Sequence, residues 1–123
     1  EQTMERKIEE AILSVVLEDK YSKDEILEMY LNTTYFGAGA TGIHQASKAY
    51  FGKHVSRLTL EEAAVLAALP YAPSALNPLE HPIECKQRQM LVLNAMAKHG
   101  FITQDTADEA KAEYVYLTNG RKM

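Results

Sequence analysis

The sequence has a single cysteine, no long hydrophobic run and no excess of positive charge. Cys85 alone cannot form an internal disulfide, and it leaves no cysteine cluster that would hold a metal ion. No stretch approaches the roughly 20 apolar residues of a membrane span, and no signal peptide is visible. A net charge of −4 is not that of a basic nucleic-acid binder. We therefore expect a soluble chain without a nucleic-acid partner.

Histidine-based chemistry is also poorly supported. The histidines at positions 44, 54, 81 and 99 do not stand at metal-ligand spacing from one another or from the cysteine. No Gly-x-Ser-x-Gly elbow and no cysteine–histidine pair stands out. We expect no metal centre built into the protein.

Helical patterns run through nearly all of the 123 residues. The hydrophobic share of 46% and the charged share of 24% are those of an ordinary globular domain, and the length fits one core. Residues 1–5 already read as the beginning of a helix, so we expect the chain to be part of a longer one. The sequence predicts one all-α domain.

The first predicted helix, residues 4–17, has two apolar stripes. The first stripe contains Met4, Ile8, Ile12, Val15 and Val16. The second contains Leu13 and Leu17, and it is shared with Arg6 and Glu10. We expect this helix to be buried on two sides, with Glu10 facing a packed or cleft-like region. A carboxylate there needs a partner, and Arg6 and Lys7 lie one turn earlier.

The remaining elements are predicted from caps and helix breakers. Capping boxes at 22–25, with Ser22 as N-cap, and at 59–62 begin two further helices. Other helices are predicted at about 41–50, 82–99 and 103–112, with a proline connection at 70–78 and a strand or extended tail at 114–117. The apolar residues expected to be buried in the second and the long helix are Ile26, Leu27, Tyr30, Leu31, Met90, Leu91, Leu93, Ala95 and Met96.

The charged residues Arg6, Lys7 and Glu10 allow two interpretations. In the first, the cations bind a phosphate or diphosphate, and Glu10 acts on a proton, a metal ion or the leaving group. In the second, they form an ordinary exposed helix surface, where such ion pairs contribute only about 0.3–0.5 kcal/mol. Spacing alone favours the second interpretation, although the two apolar stripes strengthen the first.

The loop that contains Gly37, Gly39 and Gly42 is also open to two interpretations. Glycines let backbone N–H groups approach an anion at the N-terminus of a following helix. They equally allow a plain turn with positive φ angles. A nucleotide P-loop is disfavoured, because residues 52–54, Gly-Lys-His, lack the hydroxyl residue that follows its lysine.

Three segments follow one another in a recognisable order. Residues 6–10 read Arg-Lys-x-x-Glu, residues 23–32 read Lys-x-x-Ile-Leu-x-x-Tyr-Leu-Asn, and residues 88–96 read Arg-x-x-x-Val-Leu-x-x-Met. In these motifs the chain resembles the peptidoglycan glycosyltransferase domain of class A penicillin-binding proteins and their monofunctional relatives, a lysozyme-like helical family. The resemblance covers nearly all of residues 5–110.

The resemblance implies an enzyme that polymerises lipid II into glycan strands. An acceptor 4-hydroxyl attacks the anomeric carbon of the growing chain and expels undecaprenyl diphosphate, with inversion. Glu10 matches the family's second essential glutamate, and Lys7 and Arg6 match residues near the diphosphate. Motif positions that we expect to be mainly structural are matched by Tyr30, Asn32 and Arg88. A divalent cation, Mg²⁺ or Mn²⁺, is expected to accompany the substrate diphosphate.

Two motifs of the family are absent from these residues. They are Glu-Asp-x-x-Phe-x-x-His-x-Gly, which supplies the main catalytic base, and Gly-x-Ser-Thr-Ile-Thr-Gln-Gln. We therefore expect the C-terminal part of the domain, truncated at its N-terminal side and inactive alone. The full-length protein is expected at the outer face of the bacterial cytoplasmic membrane. Its expected partners are lipid II, the growing glycan chain and the membrane surface.

Packing against the missing half should leave an uncovered apolar patch, expected along the first helix, and self-association could cover it. Two alternatives stay open. One is a non-catalytic helical interaction module that kept the scaffold. The other is a lysozyme-like, glycan-cleaving relative, although no second carboxylate stands out as a partner for Glu10.

Overall fold

The computed structural model describes residues 3–17 and 25–123, which form six α-helices. The helices are α1 (Met4–Leu17), α2 (Glu25–Thr33), α3 (Ile43–Phe51), α4 (Leu60–Ala68), α5 (Pro82–Lys98) and α6 (Gln104–Ala112). Two short 3₁₀ helices lie at Val55–Arg57 and Leu69–Tyr71. These residues contain no strand, only two isolated antiparallel bridges, Tyr35 with Thr41 and Tyr116 with Lys122. The predicted all-α class is confirmed.

The predicted helix boundaries lie close to the observed ones. Thr59 caps α4, because its hydroxyl accepts a hydrogen bond from the Glu62 N–H at 3.3 Å while the Glu62 carboxylate accepts one from the Thr59 N–H at 2.9 Å. Pro82 is the first residue of α5, and Gly100 follows that helix with a φ of 83°. Ser22, the N-cap predicted for α2, lies outside the described residues.

Helix α1 lies between two groups of buried apolar side chains. The larger group joins α1 to α2, α3 and α4, and the smaller group joins Leu13 of α1 to α4, α5 and α6. Ile12 is 0% exposed in the first group and Leu13 is 7% exposed in the second. Each fully buried side chain of this kind contributes about 1.5–3 kcal/mol. The predicted burial of α1 on two sides is therefore confirmed.

Helix α5 buries Leu93 and Met96 as predicted, but it also buries the polar side chain of Gln89. Gln89 Nε2 donates a hydrogen bond to the Glu61 carbonyl oxygen at 2.9 Å, which links α5 to α4. The predicted burial of Leu91 is wrong, since its exposed fraction is 58%. At about 100° per residue, Leu91 lies some 100° or more from the buried side of the helix.

Two strongly exposed apolar side chains lie on α2. Ile26 and Met29 are 79% and 66% exposed, whereas Met4 is the one large apolar residue of the described α1 in this exposed set. Helix α2 packs through Leu27, Tyr30 and Leu31, and this spacing leaves Ile26 on the outer side. The predicted burial of Ile26 is therefore wrong, and the apolar patch expected along the first helix stays a prediction.

None of the helices within residues 3–17 and 25–123 combines the length and the apolar character that a membrane span needs.

The loop between α2 and α3 depends on two glycines. Gly37 and Gly42 have φ angles of 90° and 87°. A Cβ atom at Gly42 would lie 2.6 Å from the Asn32 carbonyl oxygen, and one at Gly37 would lie 2.6 Å from the Tyr50 hydroxyl. Gly39 has a φ of 71°, but a Cβ there would meet nothing within 4 Å. At Gly37 and Gly42 neighbouring atoms therefore leave no room for a side chain, whereas at Gly39 there is room for one.

We expect Gly42→Ala to lower the free energy of unfolding by more than about 2 kcal/mol, because left-handed strain adds to a clash with a backbone oxygen. Gly39→Ala is the matched control, since it carries only the left-handed cost of about 1–2 kcal/mol. Urea denaturation followed by circular dichroism measures both. Equal losses in the two variants would show that the close approach to Asn32 has no energetic weight.

Candidate functional site

The charged residues predicted to form the site lie on the N-terminal half of α1. Arg6 and Lys7 precede Glu10 by four and three residues, so the three lie on one side of the helix. Arg6 and Lys7 are half-buried, and Glu10 is exposed. The expectation that Glu10 faces a packed or cleft-like region is therefore wrong. Glu10 lies on a part of α1 that is open to solvent.

The buried carboxylate of α1 is Glu9, which is 5% exposed. At about 100° per residue, Glu9 lies about 20° from Val16 and about 40° from Leu13. The nearest edges of the two apolar stripes are thus about 60° apart on the helix, and Glu9 lies between them. Glu10 lies about 100° further round the helix, beyond the second stripe.

Glu9 is paired with His99, which follows the last turn of α5. His99 Nδ1 and Glu9 Oε1 are 2.8 Å apart. Burial raises the pKa of Glu9 above its usual value of 4.5, while the hydrogen bond and the charge of His99 act in the opposite direction. A buried carboxylate that lost this partner would be strongly destabilising. The pair therefore ties α1 to the end of α5.

Arg6 lies beside the turn that follows α5. Its guanidinium carbon is 6.0 Å from the centroid of the Phe101 ring, at the outer limit of a cation–π contact. The Nε atom of Arg6 is buried and has no hydrogen-bond partner among the described residues. An unpaired donor of this kind costs about 1–3 kcal/mol.

A cavity of about 190 Å³ opens between α1, α2 and α5. Its lining brings together Glu9, Tyr30 and Arg88, which come from three separate sequence motifs. The guanidinium carbon of Arg88 lies 4.0 Å from the centroid of the Tyr71 ring, well within cation–π range. Arg88 Nε is buried without a partner among the described residues. The residues predicted to bind the diphosphate do not line this cavity.

Tyr30 and Asn32, the other two motif residues, lie at the end of α2. Tyr30 packs against the larger apolar group, and its carbonyl oxygen accepts hydrogen bonds from the N–H and the hydroxyl of Thr34 at 2.9 and 2.6 Å. Asn32 is exposed, and its carbonyl oxygen lies against Gly42. These contacts hold the backbone of the loop in place. The structural role predicted for Tyr30, Asn32 and Arg88 stays a prediction.

The glycine loop does not present a row of free N–H groups. The N–H groups at positions 36, 40 and 42 donate to carbonyl oxygens at positions 40, 37 and 34, at distances of 2.9, 2.8 and 2.8 Å. Those at positions 39 and 41 donate to the Tyr35 hydroxyl and to the Gln45 side chain. These five donors are already used. Of the two interpretations, the geometry supports the packed turn rather than the anion-binding loop.

Residues 3–17 and 25–123 contain no metal-binding group of side chains and no reactive cysteine. No three His, Cys, Asp or Glu side chains converge there in a way that would hold a metal ion. Cys85 is buried, and burial raises the pKa of its thiol to about 12. A thiol in that environment remains protonated and inert at neutral pH.

Sequence reasoning does not single out Glu9, His99 or Tyr71. The angle of Glu9 between the stripes of α1 is a signal that could have identified it as the buried carboxylate. His99 lies 90 residues from Glu9 in the sequence, and nothing in its own neighbourhood marks it as a partner. Tyr71 follows a proline in a short turn, where an exposed aromatic gives no sign of an arginine above it.

A protein-family model described as Transglycosylase matches residues 1–97. The match takes in α1 to α4 and nearly all of α5. The chain belongs to the transglycosylase family.

The transglycosylase chain is similar to several penicillin-binding proteins. It is 50% identical to penicillin-binding protein 1A of Aquifex aeolicus over 110 residues, covering 89% of this chain and 15% of that protein. It is 46% identical to penicillin-binding protein 1A/1B of Bacillus subtilis over 112 residues, covering 90% of this chain and 12% of that protein. The crystal structure of penicillin-binding protein 1A from Haemophilus influenzae matches with a TM-score of 0.78 and 36% identity, covering 92% of this chain and 17% of that one. The chain thus spans less than a fifth of the length of each of these relatives.

The raised pKa of Glu9 makes the stability of the transglycosylase chain depend on pH. Between about pH 4.5 and that raised pKa, the folded state binds more protons at Glu9 than the unfolded state does. The contribution of Glu9 to the free energy of unfolding is therefore full below this window and is lost as pH rises through it. Glu9→Gln cannot titrate, so we expect the stability of the wild type relative to this variant to fall across the window.

Urea denaturation at several pH values between about 4 and 8 measures this difference. Glu109→Gln, at an exposed glutamate of α6, is the matched control. Because His99, Glu5 and Arg6 also act on Glu9, the comparison is repeated with His99→Asn to remove the titration of the imidazole. A Glu9→Gln difference that stays constant with pH would contradict the expectation.

Proposed function

We propose that the chain is part of a peptidoglycan glycosyltransferase, which polymerises lipid II into glycan strands and releases undecaprenyl diphosphate. The observation that carries this proposal is the arrangement of Arg6, Lys7 and Glu10 within the family match, where two cations precede an exposed carboxylate by one turn of α1. The similarity to penicillin-binding proteins 1A and 1A/1B supports the same proposal.

The two cations fit a diphosphate leaving group. Negative charge develops on the departing oxygen as its bond to the anomeric carbon breaks, and charge-assisted hydrogen bonds from Lys7 and Arg6 would stabilise it. Because α1 is held by apolar packing on two sides, these groups need little reorganisation during the reaction.

Glu10 is the carboxylate that we assign to the reacting end of the substrate. Its exposure leaves it accessible to a sugar hydroxyl or to the diphosphate. Mg²⁺ is commonly bound by one or two carboxylates together with substrate phosphates, and Glu10 beside a diphosphate fits that pattern. When such a cation is bound with the substrate, it neutralises charge on the leaving group.

The main catalytic base of this proposal is not among the 123 residues, because the motif that would carry it is absent from them. We therefore propose that these residues alone do not polymerise lipid II. In the whole protein, the site would work at the outer face of the bacterial cytoplasmic membrane, with lipid II and the growing glycan chain as its partners.

Neither alternative is favoured by a specific observation. A glycan-cleaving enzyme of the lysozyme type needs two carboxylates that flank the scissile bond. Glu9 is next to Glu10 in the sequence, but it lies about 100° away around the helix and is bonded to His99. Incubation with polymeric peptidoglycan separates the classes, since release of soluble fragments would support cleavage.

We expect no glycan strands when the chain is incubated with labelled lipid II and Mg²⁺ or Mn²⁺, because one essential carboxylate is missing. Gel separation of the products measures this, with an authentic glycosyltransferase as positive control. Strands made by this chain alone would show that residues 1–123 already hold every group that the reaction needs.

We also expect the chain to bind farnesyl diphosphate through Lys7. Loss of one charged donor should weaken binding by about fivefold in Lys7→Ala, and Lys122→Ala, at a lysine on the C-terminal bridge, is the matched control. In Glu10→Gln, binding without metal should be retained, while the gain on adding Mg²⁺ should be lost. Isothermal titration calorimetry measures all three variants. If Lys7→Ala and Lys122→Ala bound farnesyl diphosphate with the same affinity, the proposed role of the α1 cations in diphosphate binding would be contradicted.

A further inference from the structure

A second concentration of positive charge lies at the end of α3, away from the residues of the proposed glycosyltransferase site. A concavity of about 460 Å³ is lined by Lys48, Gly52, Lys53, His54 and Arg57. Three of these five residues have cationic side chains, one is a histidine, one is a glycine and none is acidic. The concavity is therefore positively charged, although the chain as a whole has a net charge of −4.

One cation of the concavity is neutralised within the protein. Lys53 Nζ lies 2.8 Å from the Glu62 carboxylate, which also accepts hydrogen bonds from the N–H and the hydroxyl of Thr59. The side chains of Lys48 and Arg57 make no ion pair or hydrogen bond with any described residue. Two positive charges around the concavity therefore have no ion-pair partner within residues 3–17 and 25–123.

The backbone that carries these cations is well anchored. Gly52 ends α3 in the left-handed conformation, with a φ of 67°. The Ser47 hydroxyl donates a hydrogen bond to the Lys53 carbonyl oxygen. His54 Nδ1 accepts a hydrogen bond from the Ser56 N–H at 3.1 Å, so the neutral ring carries its proton on Nε2. The imidazole can thus donate a hydrogen bond, as can the side chains of Lys48 and Arg57.

A second concavity adjoins the first and shares Lys48 with it. It has a volume of about 560 Å³, and small side chains at positions 38, 39, 40 and 49 line it together with His44. The rings of His44 and His54 are 5.9 Å apart, so the two imidazoles lie close together along this surface. The first concavity is thus lined mainly by cationic side chains, and the second mainly by small ones.

The chemistry of this surface selects a phosphate ester. A phosphate ester has several acceptor oxygens and one or two negative charges, which match an ammonium, a guanidinium and an imidazole N–H. Both concavities together are larger than inorganic phosphate alone, so room remains for the alcohol or sugar to which the phosphate is attached. We propose that the concavity of Lys48, His54 and Arg57 binds the phosphate of such an ester, and that the adjoining concavity takes the uncharged part.

The test uses the 123-residue chain in solution with glycerol 3-phosphate and vesicles of phosphatidylglycerol as probes. These two arms distinguish a free ester from a lipid headgroup. Heteronuclear NMR titration at constant ionic strength should show saturable shifts at the amides of Gly52, Lys53 and His54 with glycerol 3-phosphate, and none with glycerol. Co-sedimentation measures binding to the vesicles, with phosphatidylcholine vesicles as the uncharged reference.

Arg57→Gln and Lys48→Gln should each weaken binding of the preferred probe by about fivefold or more, because each removes a charged donor. Lys98→Gln, at an exposed lysine of α5, is the matched control and should bind like the wild type. Lys7→Ala should also leave these shifts unchanged, which separates this surface from the α1 site. Absence of binding to both probes, or binding that is equal in Arg57→Gln and Lys98→Gln, would overturn the proposal.

Discussion

The apolar packing of α1 on two neighbouring sides fixes the rotation of this helix about its own axis. Turning it by one residue, about 100°, would expose Ile12 and bring Glu10 toward the core. Each large apolar side chain lost from the core would cost about 1.5–3 kcal/mol, and a carboxylate brought into it would need a partner. The direction in which Arg6, Lys7 and Glu10 point is therefore a consequence of the residues on the other side of α1.

The pair formed by Glu9 and His99 adds a second constraint, along the helix axis rather than around it. Glu9 is buried where the two apolar groups meet, and its hydrogen bond reaches the residue that follows α5. A buried ion pair is weak evidence for stability, because desolvation opposes the attraction. Its effect here is positional, since sliding α1 against α5 would leave a buried carboxylate without a partner. The α1 site and the end of α5 are thus held in register.

Positive charge gathers at two places on a chain that is acidic overall. At α1 the cations lie beside an exposed carboxylate, which suits a substrate that brings its own metal or undergoes reaction. Around Lys48 and Arg57 the described lining has no acidic side chain, and the Glu62 carboxylate is paired with Lys53. That environment suits a site that binds an anion without catalysing a reaction of it. The difference between the two surfaces lies in the placement of carboxylates rather than in the number of cations.

The sequence by itself determined the helices and their ends. Period-3.6 patterns placed α1 and α5, the box at Thr59 placed the start of α4, and Pro82 placed the start of α5, because these signals act within one or two turns. Ordered motifs also identified the family, which the match over residues 1–97 confirms. Only the tertiary structure decided that His99 pairs with Glu9, that Arg88 lies over the Tyr71 ring, and that Glu9, Tyr30 and Arg88 line one cavity. Those outcomes depend on which surfaces meet across long stretches of chain, and local spacing contains no information about that.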